Sequence, residues 1–177
     1  MIPAPIIAAA VGFAALCIVG DVRTRRIPNL LSGFGIVAGI VLNTVHFGSH
    51  GLLASLGGLL LTVGLLLGPF ALGGLGGGDV KMMGAIGALL GPRVTLAALL
   101  VGIAFGGVIM AIHLVRVGRL RETFVNIVTM LAASVVGGSL EPLRMSPGQP
   151  GAITLPYSLP LGLGTLAVLA ASGSLSL

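Results

Sequence analysis

Residues 51–72 read GLLASLGGLLLTVGLLLGPFAL, an uncharged apolar stretch that is long enough to cross a lipid bilayer as one helix. A second stretch of this kind fills residues 94–115. Of the 177 residues, 56% are hydrophobic and 7% are charged, whereas a soluble domain carries about 25% charged residues. So few charges cannot cover a surface that faces water, so the composition indicates that the solvent is lipid.

The remaining apolar runs set the fold class. They occupy residues 3–20, 30–45, 80–91, 124–137 and 155–171. Only α-helices and closed β-barrels satisfy their backbone inside a bilayer, and these unbroken runs lack the apolar-polar alternation of barrel strands. We therefore predict an all-α fold, a polytopic membrane helix bundle of about six transmembrane helices, with residues 124–137 as an interfacial segment on the cytoplasmic side. Residues 1–177 are expected to form a single domain.

The basic residues predict the orientation. Cytoplasmic loops of membrane proteins are enriched in lysine and arginine. With six spans and both termini outside, Arg93 alone falls outside, and the other basic residues are cytoplasmic: Arg23, Arg25, Arg26, Lys81, Arg116, Arg119, Arg121 and Arg144. This pattern favours the inner (cytoplasmic) membrane and the lipid bilayer as partner, and it makes a nucleic-acid partner unnecessary. The first run lacks a basic segment before it, which predicts a retained helix and not a cleaved signal peptide.

The chain contains two aspartates, Asp21 and Asp79, each at the predicted cytoplasmic end of an apolar run. An ionisable residue at the membrane is costly, which makes it a candidate functional group. Two neighbouring carboxyls that share a proton can hydrolyse a peptide, because one activates water while the other protonates the departing amine. This chemistry requires no metal and no cofactor, and the lone Cys17 offers no cysteine metal site. For either aspartate alone, a helix cap or an arginine partner remains the simpler reading.

Residues beside the aspartates are candidates for supporting roles. The glycine-rich segment 73–78 precedes Asp79, and glycines such as Gly76 and Gly78 give an extended peptide substrate room near the acid. Lys81 is a candidate to tune Asp79 or contact substrate, or it reaches the membrane interface. Asn29 is read as a helix N-cap or as a group that orients Asp21. A small-residue groove for a substrate helix is expected at Gly84, Gly87 and Gly102.

Three stretches resemble the type IV prepilin peptidases. Residues 21–29, DVRTRRIPN, are similar to the first aspartate motif of that family, and residues 76–81, GGGDVK, are similar to its GxGD motif. Residues 155–162, LPYSLPLG, are similar to the segment that begins the family's last span. Serine, leucine and proline occupy positions 158–160 where glycine and alanine are commoner, so we expect no catalytic role there.

The resemblance implies a six-span aspartic endopeptidase with Asp21 and Asp79 as its catalytic residues. The implied substrate is a prepilin or pseudopilin precursor, cut at the cytoplasmic membrane face between a short basic leader and a hydrophobic helix. The chain resembles the short members that serve tight-adherence (Tad or Flp) pili and lacks the paired cysteines linked to pilin N-methylation, so methyltransferase activity is not expected. Archaeal preflagellin peptidases are an alternative subfamily. A small proton- or cation-coupled transporter subunit is the alternative outside the family, although no internal repeat is evident.

Overall fold

All regular secondary structure in the described part of the chain is helical. The computed structural model describes residues 2–24, 27–137 and 157–174. These residues form five helices: α1 (Ala4–Thr24), α2 (Asn29–Ala71), α3 (Gly77–Val117), α4 (Leu120–Gly137) and α5 (Ser158–Ser174). The predicted all-α class is confirmed, and α1, α2 and α3 are each long and apolar enough to cross a membrane. Arg25, Arg26, Arg144 and the first two residues of the third motif lie outside the described residues.

The longest helices, α2 and α3, each contain two of the predicted apolar runs, so the five helices do not correspond one to one with the runs. A single glycine interrupts each of them. Gly48 in α2 has φ 62° and ψ −140°, and Gly91 in α3 has φ 73° and ψ 175°. These backbone angles are readily available only to glycine, which has no Cβ to clash with the neighbouring carbonyl.

Hydrogen bonds show how far each glycine redirects its helix. Asn43 and Ser55 lie on opposite sides of Gly48, yet both side chains donate to the carbonyl oxygen of Ala88, at 3.1 Å and 2.6 Å. In a straight helix these two residues would stand about 18 Å apart along the axis. The two halves of α2 are therefore folded towards each other. Thr95 similarly donates to the carbonyl of Ile86 across the break in α3, at 3.4 Å.

The break at Gly91 explains why polar side chains of α2 donate to backbone carbonyls of α3. The carbonyl of Ala88 would normally accept from the residue four positions later, but that residue is Pro92, which has no N–H. Buried carbonyls without a donor are costly. The Asn43 amide supplies donors to Ala88 and, at 2.9 Å, to Leu89. Asn43 and Ser55 thus cap the first half of α3 from a neighbouring element.

We expect Asn43→Leu to lower the free energy of unfolding by about 1–2 kcal/mol, because the buried Leu89 carbonyl loses its Asn43 donor and the Ala88 carbonyl keeps the one from Ser55. The measurement is denaturant unfolding of the purified protein in detergent. Thr44→Val is the matched control, because Thr44 is exposed and its hydroxyl bonds Ile40 in its own helix. Equal stability of the Asn43→Leu variant and the wild type would contradict this explanation.

The first half of α3 is the centre of the fold. Met82, Met83, Ile86 and Leu89 are each at most 1% exposed. The other helices approach them through glycines whose missing side chains allow backbone contact, as in many membrane helix pairs. In contrast, large apolar side chains such as Leu60 cover much of the outside of α1, α2 and α3. This is the surface that a lipid solvent requires.

The prediction that Gly84, Gly87 and Gly102 form a groove for a substrate helix is wrong. A Cβ on Gly87 would overlap the carbonyl oxygen of Gly58. A Cβ on Gly102 would lie 2.9 Å from the Cα of Leu161, and one on Gly84 would lie 3.1 Å from a methyl group of Val63. These glycines pack the chain's own helices, so they leave no room there for another helix.

The segment expected at the membrane interface is helical from residue 120. It contains the predicted run 124–137, and most of its described side chains are exposed. The Arg119 Nε and a Glu122 carboxylate oxygen are 3.4 Å apart at its start. A pair this exposed contributes little to stability. The described structure agrees with a peripheral position for α4.

Candidate active site

Two helices bring the aspartates to the same end of the bundle. Asp21 lies in the last turn of α1, and Asp79 is the third residue of α3. Asp79 is 8% exposed, whereas Asp21 is half-buried. Their carboxyl groups are close enough for the charge on Asp21 to act on Asp79. Both residues thus lie where α1 ends and α3 begins.

A contact one helical turn inside the bundle fixes this proximity. A Cβ on Gly162 of α5 would lie 2.5 Å from the Cδ1 of Ile18 and 3.3 Å from the Cε of Met82. Ile18 precedes Asp21 by one turn of α1, and Met82 follows Asp79 by one turn of α3. The missing side chain of Gly162 therefore lets α1, α3 and α5 meet directly beside the aspartates.

The glycine-rich segment before Asp79 begins as a helix cap. Gly73 has φ 77°, and the N–H groups of Gly73 and Gly74 donate to the carbonyls of Phe70 and Pro69, at 3.0 and 2.9 Å. This pair of bonds closes α2 and requires the left-handed backbone at Gly73 that glycine adopts without strain. After a bend, Gly76 has an extended backbone and leads directly into α3.

The start of α3 holds Asp79 in place. The N–H of Gly76 donates to Oδ2 of Asp79 at 3.3 Å, and the N–H of Asp79 donates to the carbonyl of Gly76 at 3.1 Å. A carboxylate in the first turn of a helix also lies at the positive end of the helix dipole. A Cβ on Gly76 would lie 3.1 Å from Oδ2, which is a tight contact.

Gly78 is not required by packing in this structure. A Cβ there would lie 3.5 Å from the side chain of Ile27, an ordinary van der Waals distance. Ile27 is itself buried and covers the first turn of α3. The connection between α1 and α2 is thus packed against the helix that carries Asp79.

Lys81 and Asn29, both proposed as supporting residues, contact each other. The Nζ of Lys81 donates to Oδ1 of Asn29 at 2.8 Å, and both residues are exposed. The reading of Asn29 as an N-cap is wrong: Pro28 occupies that position, with no side-chain cap bond, and Asn29 begins the helix. The contact instead links the start of α2 to α3, next to the aspartates.

Sequence reasoning missed Ser158. It is completely buried at the first position of α5, and its Oγ donates to Oδ2 of Asp21 at 2.5 Å. Residues 158–160 depart from the commoner glycine and alanine, so the sequence predicts no catalytic role for them. A serine at the start of an apolar helix was the available signal, but it pointed to a cap and not to a carboxyl 137 positions away.

The side chains present provide acid-base chemistry. Within residues 2–24, 27–137 and 157–174, no group of three histidine, cysteine, aspartate or glutamate side chains is placed to hold a metal ion. The two carboxyls each use Oδ2 for the hydrogen bond described above. The Oδ1 atom of each carboxyl takes no part in these two bonds.

The model of the type IV leader peptidase family matches residues 8–112, more than half of the 177-residue chain. The chain belongs to the type IV leader peptidase family. The suspected relationship to prepilin peptidases is confirmed, and family membership makes the protein a peptidase of the leader-peptidase type. No curated protein and no solved structure matches the chain. The family match includes both aspartates and ends before α5, so Ser158 lies outside it.

Proposed function

We propose that this leader peptidase is an aspartic endopeptidase that removes the leader peptide of prepilin or pseudopilin precursors at the cytoplasmic membrane face. Asp21 and Asp79 are its catalytic residues. The observation that carries this proposal is that two carboxyls from different helices lie within electrostatic range at one end of an apolar bundle. The family match supports the reaction type, since both residues lie within the matched segment.

The chemistry needs the two carboxyls to hold one proton between them. Two like charges a few ångströms apart do not both ionise easily, so the pair titrates as a unit. The ionised carboxyl takes a proton from water as the water oxygen attacks the scissile carbonyl carbon. The protonated carboxyl hydrogen-bonds the carbonyl oxygen, and a proton then passes to the departing amine as the C–N bond breaks. One water molecule is consumed for each peptide bond that is cleaved.

Six membrane crossings follow if the halves of α2 and α3 cross separately. The folding of α2 at Gly48 and the break of α3 at Gly91 support this count, with α1 and α5 as the outer two crossings. Arg23 and the arginines near the end of α3 then lie on the same side as the aspartates, whereas Arg93 follows the break at the opposite end. The positive-inside rule makes the aspartate side cytoplasmic, with both termini outside in an inner membrane.

The substrate segment is proposed to approach the aspartates along the glycine-rich connection. Gly76 and Gly78 border Asp79, and Gly78 has no packing role that explains its missing side chain. An extended backbone approaches such positions more closely than it approaches a residue with a Cβ. Asn29 and Lys81 stabilise the neighbouring connection through their hydrogen bond and are proposed as supporting residues, not catalytic ones.

Co-expression with a prepilin precursor tests the proposed function. Wild-type enzyme is expected to shorten the precursor, and Asp21→Asn and Asp79→Asn are each expected to leave it full length while still inserting in the membrane. Glu122→Gln is the matched control, because it removes an exposed carboxylate that belongs to a surface ion pair. Normal shortening by both aspartate variants would refute the assignment.

A further inference from the structure

Ser158 is a buried polar side chain at the site that the proposed chemistry does not use. Ser158 is 0% exposed and comes from α5, a helix that contributes neither carboxyl. Its hydroxyl donates to Oδ2 of Asp21 at 2.5 Å, which is at the short end for hydrogen bonds between oxygens. A hydroxyl that donates to a carboxylate forms one of the stronger hydrogen bonds found in proteins.

Asp21 and Asp79 differ in the source of the hydrogen bond that orients each carboxyl. Asp21 sits in the last turn of α1, three residues before the described part of that helix ends at Thr24. Asp79 is held by the N–H of Gly76 at the start of its own helix, whereas the hydroxyl that bonds Asp21 comes from Ser158 on another helix. A carboxylate free to rotate would present either oxygen to the water.

The backbone on both sides of the Ser158–Asp21 bond is rigidly placed. Ser158 and Gly162 are one turn apart on the face of α5 that meets α1, where Gly162 contacts the side chain of Ile18. Next to them, a Cβ on Gly164 would overlap the backbone nitrogen of Gly102 in α3. The position of the Ser158 hydroxyl is therefore set by close helix packing on two sides, and not by the serine alone.

We propose that Ser158 is a positioning residue that holds the Asp21 carboxylate by Oδ2, so that its other oxygen faces Asp79 and the reacting water. This inference rests on the proposed function, in which Asp21 is catalytic. Ser158 acts in the reaction only through Asp21 and does not touch the substrate. Its loss is expected to slow the chemical step and to leave substrate binding unchanged.

Kinetics of precursor cleavage by the purified full-length protein test this assignment, with a synthetic peptide that carries a basic leader, a glycine at the cut site and a hydrophobic helix. We expect Ser158→Ala to lower kcat by about tenfold to a hundredfold, the range for losing a hydrogen bond to a charged group, with KM changed less than about twofold. Ser158→Thr keeps the hydroxyl and should restore most of kcat. Ser172→Ala is the matched control, since this serine is on the exposed part of α5 and bonds Val168.

Several outcomes would overturn the inference. Wild-type kcat in Ser158→Ala, an equal effect on kcat and KM, or a folded threonine variant as slow as the alanine variant would each do so. If the threonine variant does not fold, the alanine variant decides alone. Asp21→Asn is measured in parallel: an active Asp21→Asn refutes the proposed function, whereas an inactive Asp21→Asn beside a fully active Ser158→Ala refutes only the role of Ser158.

Discussion

Asp79→Asn is expected to lower the rate of precursor cleavage by about 10⁴-fold or more, the loss seen when one member of a catalytic group is removed. The amide has nearly the shape of the carboxyl, and its oxygen can still accept the N–H of Gly76 that Asp79 binds at 3.3 Å. It cannot exchange a proton with Asp21 or water at neutral pH. Stability in detergent should therefore stay close to the wild-type value while activity is lost.

Asp79→Glu separates the chemistry of this position from its geometry. Glutamate keeps the acid but moves it by one methylene, and a displacement of about 1 Å can cost about a hundredfold in rate. We expect cleavage by the glutamate variant to lie between the wild-type and asparagine variants. Asparagine activity above about a tenth of wild type would contradict a catalytic role for Asp79.

Gly58→Ala is expected to destabilise the fold by about 2–4 kcal/mol. A Cβ on Gly58 would overlap the backbone carbonyl oxygen of Gly87 and lie 2.9 Å from the backbone of Gly91. Backbone atoms cannot rotate away as a side chain can, so α2 and the first half of α3 would have to separate. That half of α3 also carries Asp79, so activity should fall together with stability.

Gly57→Ala is the control for this effect. Gly57 is the adjacent residue of the same helix, and no atom lies within 4 Å of the Cβ it would gain. Alanine there should be neutral or stabilise the helix by up to about 1 kcal/mol. Thermal unfolding in one detergent compares the two variants, and similar midpoints for both would show that the Gly58–Gly87 contact does not hold the helices together.

Composition and apolar runs were sufficient to predict the helical class. A chain with 7% charged residues cannot cover a surface that faces water, and unbroken apolar runs in lipid satisfy their backbone as helices. The motifs around Asp21 and Asp79 were sufficient to predict the family, which the match to residues 8–112 confirms. Both kinds of signal are local. They depend on neighbouring residues and not on how distant helices pack.

The features that sequence could not supply depend on distant contacts. The gaps between the predicted apolar runs already fall at Gly48 and after Gly91, which break helices, but nothing in the sequence shows which helices Gly87 and Gly102 pack against. The groove expected at the latter two was wrong because their open faces were already filled by other helices. Ser158 was missed for the same reason, since its partner is 137 residues away.

Thiol cross-linking tests most directly whether the side chains at positions 21 and 79 meet. Cys17 is the chain's one cysteine, so Cys17→Ala gives a background free of other thiols. In that background we predict that a short thiol-reactive cross-linker joins Asp21→Cys to Asp79→Cys within one chain. Val22→Cys with Asp79→Cys should not be joined, because Val22 is 58% exposed on the outside of α1. If the thiols at positions 21 and 79 each react with the cross-linker but no bridge forms between them, the two side chains do not meet.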